Sequence, residues 1–214
     1  MPSWYFWGPP FSPAHDQAKL ACDTGLEQLG LLPSVRATLP DVLGVRRHLP
    51  DIDIRIGIAT GDVVVGNIGS PMSMGYTVMG DTVNFASRLE GASKVYGTHI
   101  LVGAETREMA GDAFEFREID TVLVVGKREP QRIFELLGRR GEVDPSILEL
   151  AKLFSEGLAA YRQRAWSDAE AIFRRCRESA PEDGPTRTFL ERIPQLAGQV
   201  LPADWDAVWR LMEK

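Results

Sequence analysis

Cysteine is nearly absent from this chain. Only Cys22 and Cys176 occur in 214 residues, far apart and with no CxxC pair. That excludes a disulfide framework and a cysteine-based metal finger, and it makes a reduced, cytoplasmic setting the expectation. Basic charge is in deficit too. Twenty-four Lys and Arg against 30 Asp and Glu leave a net charge of -6, which argues against non-specific nucleic-acid binding, a task for clustered cations. No apolar run approaches the ~20 residues of a membrane-spanning helix. The opening MPSWYFWGPPF has neither the basic start nor the long apolar stretch of a signal peptide. The histidines His15, His48 and His99 are scattered and read as structural or exposed groups.

What is present suits a soluble globular protein. Hydrophobic residues make up 44% and charged residues 25%, and the length fits one domain with an appendage or two small domains. Residues 4–8 read as a short aromatic strand broken by Gly8, Pro9 and Pro10. Ala18, Ala21, Cys22, Leu26 and Leu29 keep helical spacing from His15 to about Leu31, and a looser segment with Pro33, Pro40 and Pro50 follows. In DIRIGIATGDVVVGNI, Ile54, Ile56 and Ile58 alternate with other residues before Thr60-Gly61-Asp62. The pattern predicts a hairpin turning at Gly61-Asp62, with 67–74 as a loop and Tyr76–Met79 as a short strand. A helix then runs from Asp81, a candidate N-cap, to Tyr96, where Gly97 ends it.

Further strands are expected at His99–Val102, at Phe114–Ile119 with Thr121–Val125 around Asp120, and at Arg132–Leu137. A short helix is expected at Ala104–Ala110. Strands mixed with helices and hairpins indicate an α+β sandwich. From Ser146 onward no strand pattern appears. Two helices, about Ser146–Gln163 and Trp166–Ala180, and a third to Ile193 are expected, which places a boundary near Gly141.

The chemistry gathers in GDTVNFASRLE, residues 80–90. Asn84 and Arg88 are one helical turn apart and share a face. A guanidinium on a rigid helix offers a planar fork of donors to phosphate, and the glycine-rich loop before the helix lets a ligand come near the backbone.

Three stretches, RIGIATGDVVVGNIGS, YTVMGDTVNFASRLEGASKVYGTHILV and VVGKREPQRIFELLG, together resemble the second half of a class III adenylate/guanylate cyclase catalytic domain, over about residues 4–138. The resemblance implies an incomplete ferredoxin-like βαββαβ cyclase sandwich. It implies a reaction in which the ribose 3′-hydroxyl of ATP attacks the α-phosphorus and pyrophosphate leaves. It implies two Mg²⁺ or Mn²⁺ ions held by carboxylates, and a site at a dimer interface. By resemblance Asn84 orients the ribose, Arg88 stabilises the transition state, and Thr77 takes the base-contacting position. Thr77 can donate or accept, so it favours adenine without fixing it.

The sequence departs from the family pattern in three places. A motif like F-x-D-I-x-G-F has no counterpart. Residues 6–8, FWG, match the end of a motif like G-D-x-x-M-A-F-W-G, which sets that motif's aspartate opposite Met1. Where the family reads V-K-G-K, residues 124–127 read VVGK, so Val125 replaces the expected lysine and Lys127 is the remaining substrate-binding candidate. Asp62, Asp81, Asp112 and Asp120 read as turn, cap and strand-end residues rather than metal ligands. No metal ligand is therefore assigned. The expectation is an N-terminally truncated, marginally stable domain, inactive alone, that pairs with itself or with an intact cyclase. The alternatives are a non-catalytic regulatory or remnant subunit and a helical-repeat adaptor.

Residues 157–181, GLAAYRQRAWSDAEAIFRRCRESAP, resemble one tetratricopeptide repeat, with Gly157, Tyr161, Trp166, Ala169, Phe173, Cys176 and Pro181 at its spacing. The division expected is a partial cyclase domain over 1–140 and a helical tail over 141–214. One repeat cannot bury its own face, so the tail should pack against the preceding domain or recruit a partner, and Trp205, Trp209 and Leu211 continue it at helical spacing.

Overall fold

A computed structural model describes residues 3–44, 52–70, 73–124 and 129–211. The described elements are α1 (Gln17–Leu43), β1 (Ile56–Ile58), β2 (Val64–Ser70), β3 (Ser73–Met79), α2 (Asp81–Tyr96), β4 (Ile100–Gly103), α3 (Ala104–Ala110), β5 (Phe114–Val124), β6 (Gln131–Arg139), α4 (Pro145–Arg162), α5 (Trp166–Ser179), α6 (Gly184–Ala197) and β7 (Trp209–Leu211). The α+β class and the helical C-terminal segment agree with the sequence reading.

The main sheet runs β1-β4-β6-β5-β7, and β2 and β3 form a separate antiparallel ribbon. Alternation along the strands sends side chains to two apolar layers. On one face Ile58, Ile100, Val102, Phe114, Phe134 and Leu136 meet Ala18, Ala21 and Cys22 of α1. On the other, Leu101, Ile119, Val122 and Ile133 meet Leu89 and Tyr96 of α2 and the aromatics of α4–α6. Phe154, Tyr161, Phe173 and Phe189 are at most 1% exposed and pack edge-on or stacked at 4.9–5.6 Å. Each such pair adds about 0.5–1.5 kcal/mol beyond area burial.

The tail thus lies on the sheet within the same apolar cluster as α2. A β-carbon on Gly157 would stand 2.9 Å from the Phe173 ring, so α4 and α5 approach closely there. Three Arg–carboxylate links reinforce the contact. Arg117 bonds Glu135 and, at 2.8 Å, Asp183. Arg162 bonds Glu118 at 2.6 Å. Arg192 bonds Asp120 at 2.7 Å.

Several local expectations are corrected. β1 and β2 do not form a hairpin: β1 pairs in parallel with β4, while β2 pairs with β3, so most of the expected loop at 67–74 is strand. Isoleucine alternation marks a strand but not its neighbour. Residues 4–8 carry no regular structure. α1 continues through Pro33 and Pro40, beyond the expected end at Leu31; proline fixes a helix-compatible φ at the loss of one hydrogen bond each. Its buried residues end at Leu32, and Leu31, Val42 and Leu43 are more than half exposed. The two strands expected around Asp120 are one, bent by irregularities at Glu115/Phe116 and Glu118/Asp120. Trp209 and Leu211 lie in β7, parallel to β5, and not in a helix.

Candidate functional site on helix α2

α2 is built to sit hard against the sheet. Phe85, Leu89, Ala92, Ser93 and Tyr96 form its buried stripe at helical spacing. Gly57 of β1 lies directly beneath: a β-carbon there would stand 2.1 Å from the Ala86 carbonyl oxygen and 2.6 Å from the Glu90 nitrogen. Only hydrogen fits. The ribbon β2–β3 leads into α2 through one residue, Gly80, whose φ of 149° lies where side chains are rarely tolerated. Gly80 is also the N-cap, without a side-chain cap bond. Asp81 is therefore the first helical residue and not the cap expected from sequence. Its charge still favours the positive end of the helix dipole.

With that stripe facing the sheet, Asn84 and Arg88 fall together on a flank, one turn apart. Asn84 is exposed and Arg88 half-buried. Neither side chain makes a hydrogen bond or ion pair among the described residues, whereas Arg117, Arg132, Arg139, Arg162 and Arg192 all hold carboxylates. Thr77 is half-buried on β3, opposite Gly66, four residues before α2 begins. Lys127 lies outside the described residues.

The metal question has a definite local answer. Among the described residues no three His, Cys, Asp or Glu side chains group to hold a metal ion. Asp112 is 92% exposed, in a 3-10 turn, and pairs with Arg140. Asp62 is exposed in the irregular segment between β1 and β2, not in the hairpin turn expected from sequence. Asp120, expected at a strand end, lies inside β5, 1% exposed and fully engaged: Tyr96 Oη donates to it at 2.6 Å, Arg192 at 2.7 Å and the Thr121 amide at 2.8 Å. Among the described residues the carboxylates do not fit a two-metal centre. A cleft of about 500 Å³ lies between Phe6, Trp7 and the Gly61-Asp62 segment, rimmed by Glu105 and Glu108, and Asn84, Arg88 and Thr77 do not line it. On the Asn84–Arg88 flank Asn84 is exposed and Arg88 half-buried among the described residues.

Sequence reasoning missed the buried Tyr96–Asp120–Arg192 group and the seat at Gly57. The second had a signal: a glycine inside an isoleucine strand marks close backbone approach. The first had none, because Asp120 and Arg192 are 72 residues apart.

The structure is thus an α+β sheet on which an apolar-seated helix carries Asn84 and Arg88, unpartnered among the described residues. The chain matches the adenylate and guanylate cyclase catalytic domain over residues 14–138 and belongs to that family. It is 34% identical over 149 residues to the terminal-differentiation specific adenylate cyclase of Dictyostelium discoideum, across 67% of this chain and 7% of that protein. It is 42% identical over 90 residues to adenylate cyclase 1 of Rhizobium meliloti (strain 1021), across 42% of this chain and 14% of that protein. The chain therefore spans a small part of these relatives. Among solved structures, it is similar to the adenylyl cyclase CyaB from P. aeruginosa, with a TM-score of 0.52 at 29% identity over 65% of this chain and 68% of that one. It is equally similar to the guanylyl cyclase Cya2, with a TM-score of 0.52 at 33% identity over 64% and 65% of the two chains. Among the described residues no helix is long and apolar enough to cross a membrane.

Proposed function

We propose that this chain supplies the Asn84–Arg88 half of an adenylate cyclase site, in which ATP becomes cyclic AMP and pyrophosphate. The observation that carries the reading is Arg88: a half-buried guanidinium with no counter-ion among the described residues, one turn from an unengaged amide, on a helix fixed against the sheet. An unpaired arginine held in place is preorganised for an anion. The Asn84 amide would hold the ribose so that its 3′-oxygen stands in line with the α-phosphorus. As that oxygen bonds to phosphorus and the bond to the pyrophosphate oxygen breaks, Arg88 would meet the charge growing on the phosphoryl oxygens. Thr77 would contact the base and favour adenine, and Lys127 would serve the phosphates.

The family's divalent ions, Mg²⁺ or Mn²⁺, have no ligand set among the described residues. The complete site is therefore read as a dimer's. Asn84 and Arg88 come from this chain, and the metal-bearing carboxylates from an intact cyclase partner or from polypeptide outside the described residues. The same observation supports a second reading, a regulatory or remnant subunit that dimerises without turning over. The tail from residue 141 is read as a tetratricopeptide-like hairpin plus one helix. Its apolar face is already spent on the sheet, which weighs against a free adaptor. The setting proposed is cytoplasmic. The 214-residue chain, given ATP and Mn²⁺, is expected to form no cyclic AMP. Turnover that disappears in Arg88→Ala would contradict the half-site.

A further inference from the structure

The C-terminal end of α2 is gripped by the tail at three separate points. The first is steric. A β-carbon on Gly184, the first residue of α6, would lie 2.3 Å from the Tyr96 carbonyl oxygen and 2.7 Å from the Gly97 α-carbon. The two backbones touch there. The second is a cap. The last carbonyls of a helix lack internal partners, and the Thr188 hydroxyl lies 3.1 Å from that of Val95 and 3.0 Å from the Gly184 carbonyl of its own helix, so its one hydrogen is shared between the two. The third is the buried polar group. Tyr96 Oη donates to Asp120 of β5 at 2.6 Å, Arg192 of α6 donates to the same carboxylate oxygen at 2.7 Å, and Arg192 Nη2 stands 3.4 Å from Tyr96 Oη. Arg192 is 3% exposed and lies 3.7 Å over the ring of Trp209.

Gly184, Thr188 and Arg192 follow one another at i, i+4 and i+8, so a single stripe of α6 makes all three contacts. Tyr96 is two turns beyond Arg88, about 12 Å along the axis. A helix held at its end by touching backbones, a cap and a buried ring cannot slide or rotate independently of its holder.

We propose that α6 is the positioning element of α2: Gly184, Thr188 and Arg192 set the axial and rotational position at which the helix presents Asn84 and Arg88. The inference rests on the nucleotide-facing reading of those two residues for its functional meaning, but the coupling itself is a property of α2 and α6. A shift of about 1 Å in such a helix is enough to cost roughly 100-fold in rate. The tail would then belong to the half-site.

The test is hydrogen exchange on the full chain with Thr188→Val, an isostere lacking the hydroxyl, and Thr188→Ser, which keeps it. Loss of one such bond, worth about 1 kcal/mol, is expected to speed exchange of the α2 amides from Phe85 to Leu89 by about 5-fold. The β5–β6 amides should keep their rates, and Thr188→Ser should match wild type. Unchanged α2 rates, equal acceleration in β5–β6, or a Ser variant as fast as the Val variant would each overturn the coupling. Arg192→Met gives a stronger form of the same experiment, and the Thr188 pair stands if that variant does not fold. Failure of the nucleotide reading shows elsewhere: Arg88→Ala would leave cyclase complementation intact while the exchange coupling persisted.

Discussion

Replacing Asp120 by alanine should be among the most damaging changes in the chain. Its carboxylate is 1% exposed and accepts from Tyr96, Arg192 and the Thr121 amide. Burial pushes the Asp120 carboxyl above its ordinary value, against the pull of Arg192 and Tyr96, so the charged pair is held at some cost. Removing the acid alone leaves the Arg192 guanidinium buried at 3% exposure without its counter-ion. It also strands the tyrosine hydroxyl. Breaking a buried pair from one side costs about 3–5 kcal/mol. At roughly 2–4 °C per kcal/mol for a chain of this size, the melting temperature should fall by roughly 6–20 °C. Replacing both partners by apolar residues, as in Asp120→Leu with Arg192→Met, removes the stranded charge and should recover at least half of that loss. Urea melts followed by tryptophan fluorescence measure both. A single-variant cost below about 1 kcal/mol, or a double variant that loses the sum of the two singles, would refute the reasoning.

Two further outcomes follow from the same contacts. Gly57→Ala drives a methyl into the Ala86 carbonyl at 2.1 Å, so α2 must lift from β1; a loss of about 1–3 kcal/mol is expected, read as a lower urea midpoint, and an unchanged midpoint would contradict the seat. Burial pushes the Glu118 carboxyl up, but bonds from Arg132 and Arg162 outweigh it and hold the group below its ordinary value. A folded value below the unfolded one adds stability above about pH 4.3, lost as pH falls through the folded value. The melting-temperature gap between wild type and Glu118→Gln should therefore close as pH falls from about 6 to 3, and a constant gap would contradict it.

Much of the fold was legible because the strongest local signals were decisive. Gly97 ended α2 where its left-handed φ of 67° required, and the 3.6-residue pattern after Gly80 located the helix to its last residue. Strand pairing was not legible. The isoleucines of 54–58 predict a strand equally well beside β2 or beside β4, and only packing of α2 and α1 on either face selects β4. The apolar spacing of Trp205, Trp209 and Leu211 fitted a helix, yet Trp209 stacks over Arg192 and fixes β7 against β5, a choice made by a residue on another element. Asn84 and Arg88 could be proposed from sequence because their spacing is local to one turn of a helix whose bounds the structure bears out. The grip on the far end of their helix could not, because its parts come from three distant segments.

The central claim, that Asn84 and Arg88 face a nucleotide shared with a second polypeptide, is tested most directly by mixing. The full chain is added to a class III cyclase that retains its metal aspartates but lacks its own Asn–Arg pair, and cyclic AMP is measured with ATP and Mn²⁺. Arg88 has no partner to lose among the described residues, so Arg88→Ala should fold with stability within about 0.5 kcal/mol of wild type. Wild type should restore turnover, and Arg88→Ala should fall short of it by about 100–1,000-fold. Equal restoration by wild type and Arg88→Ala, or none by a wild-type chain shown to bind the partner, would contradict the account.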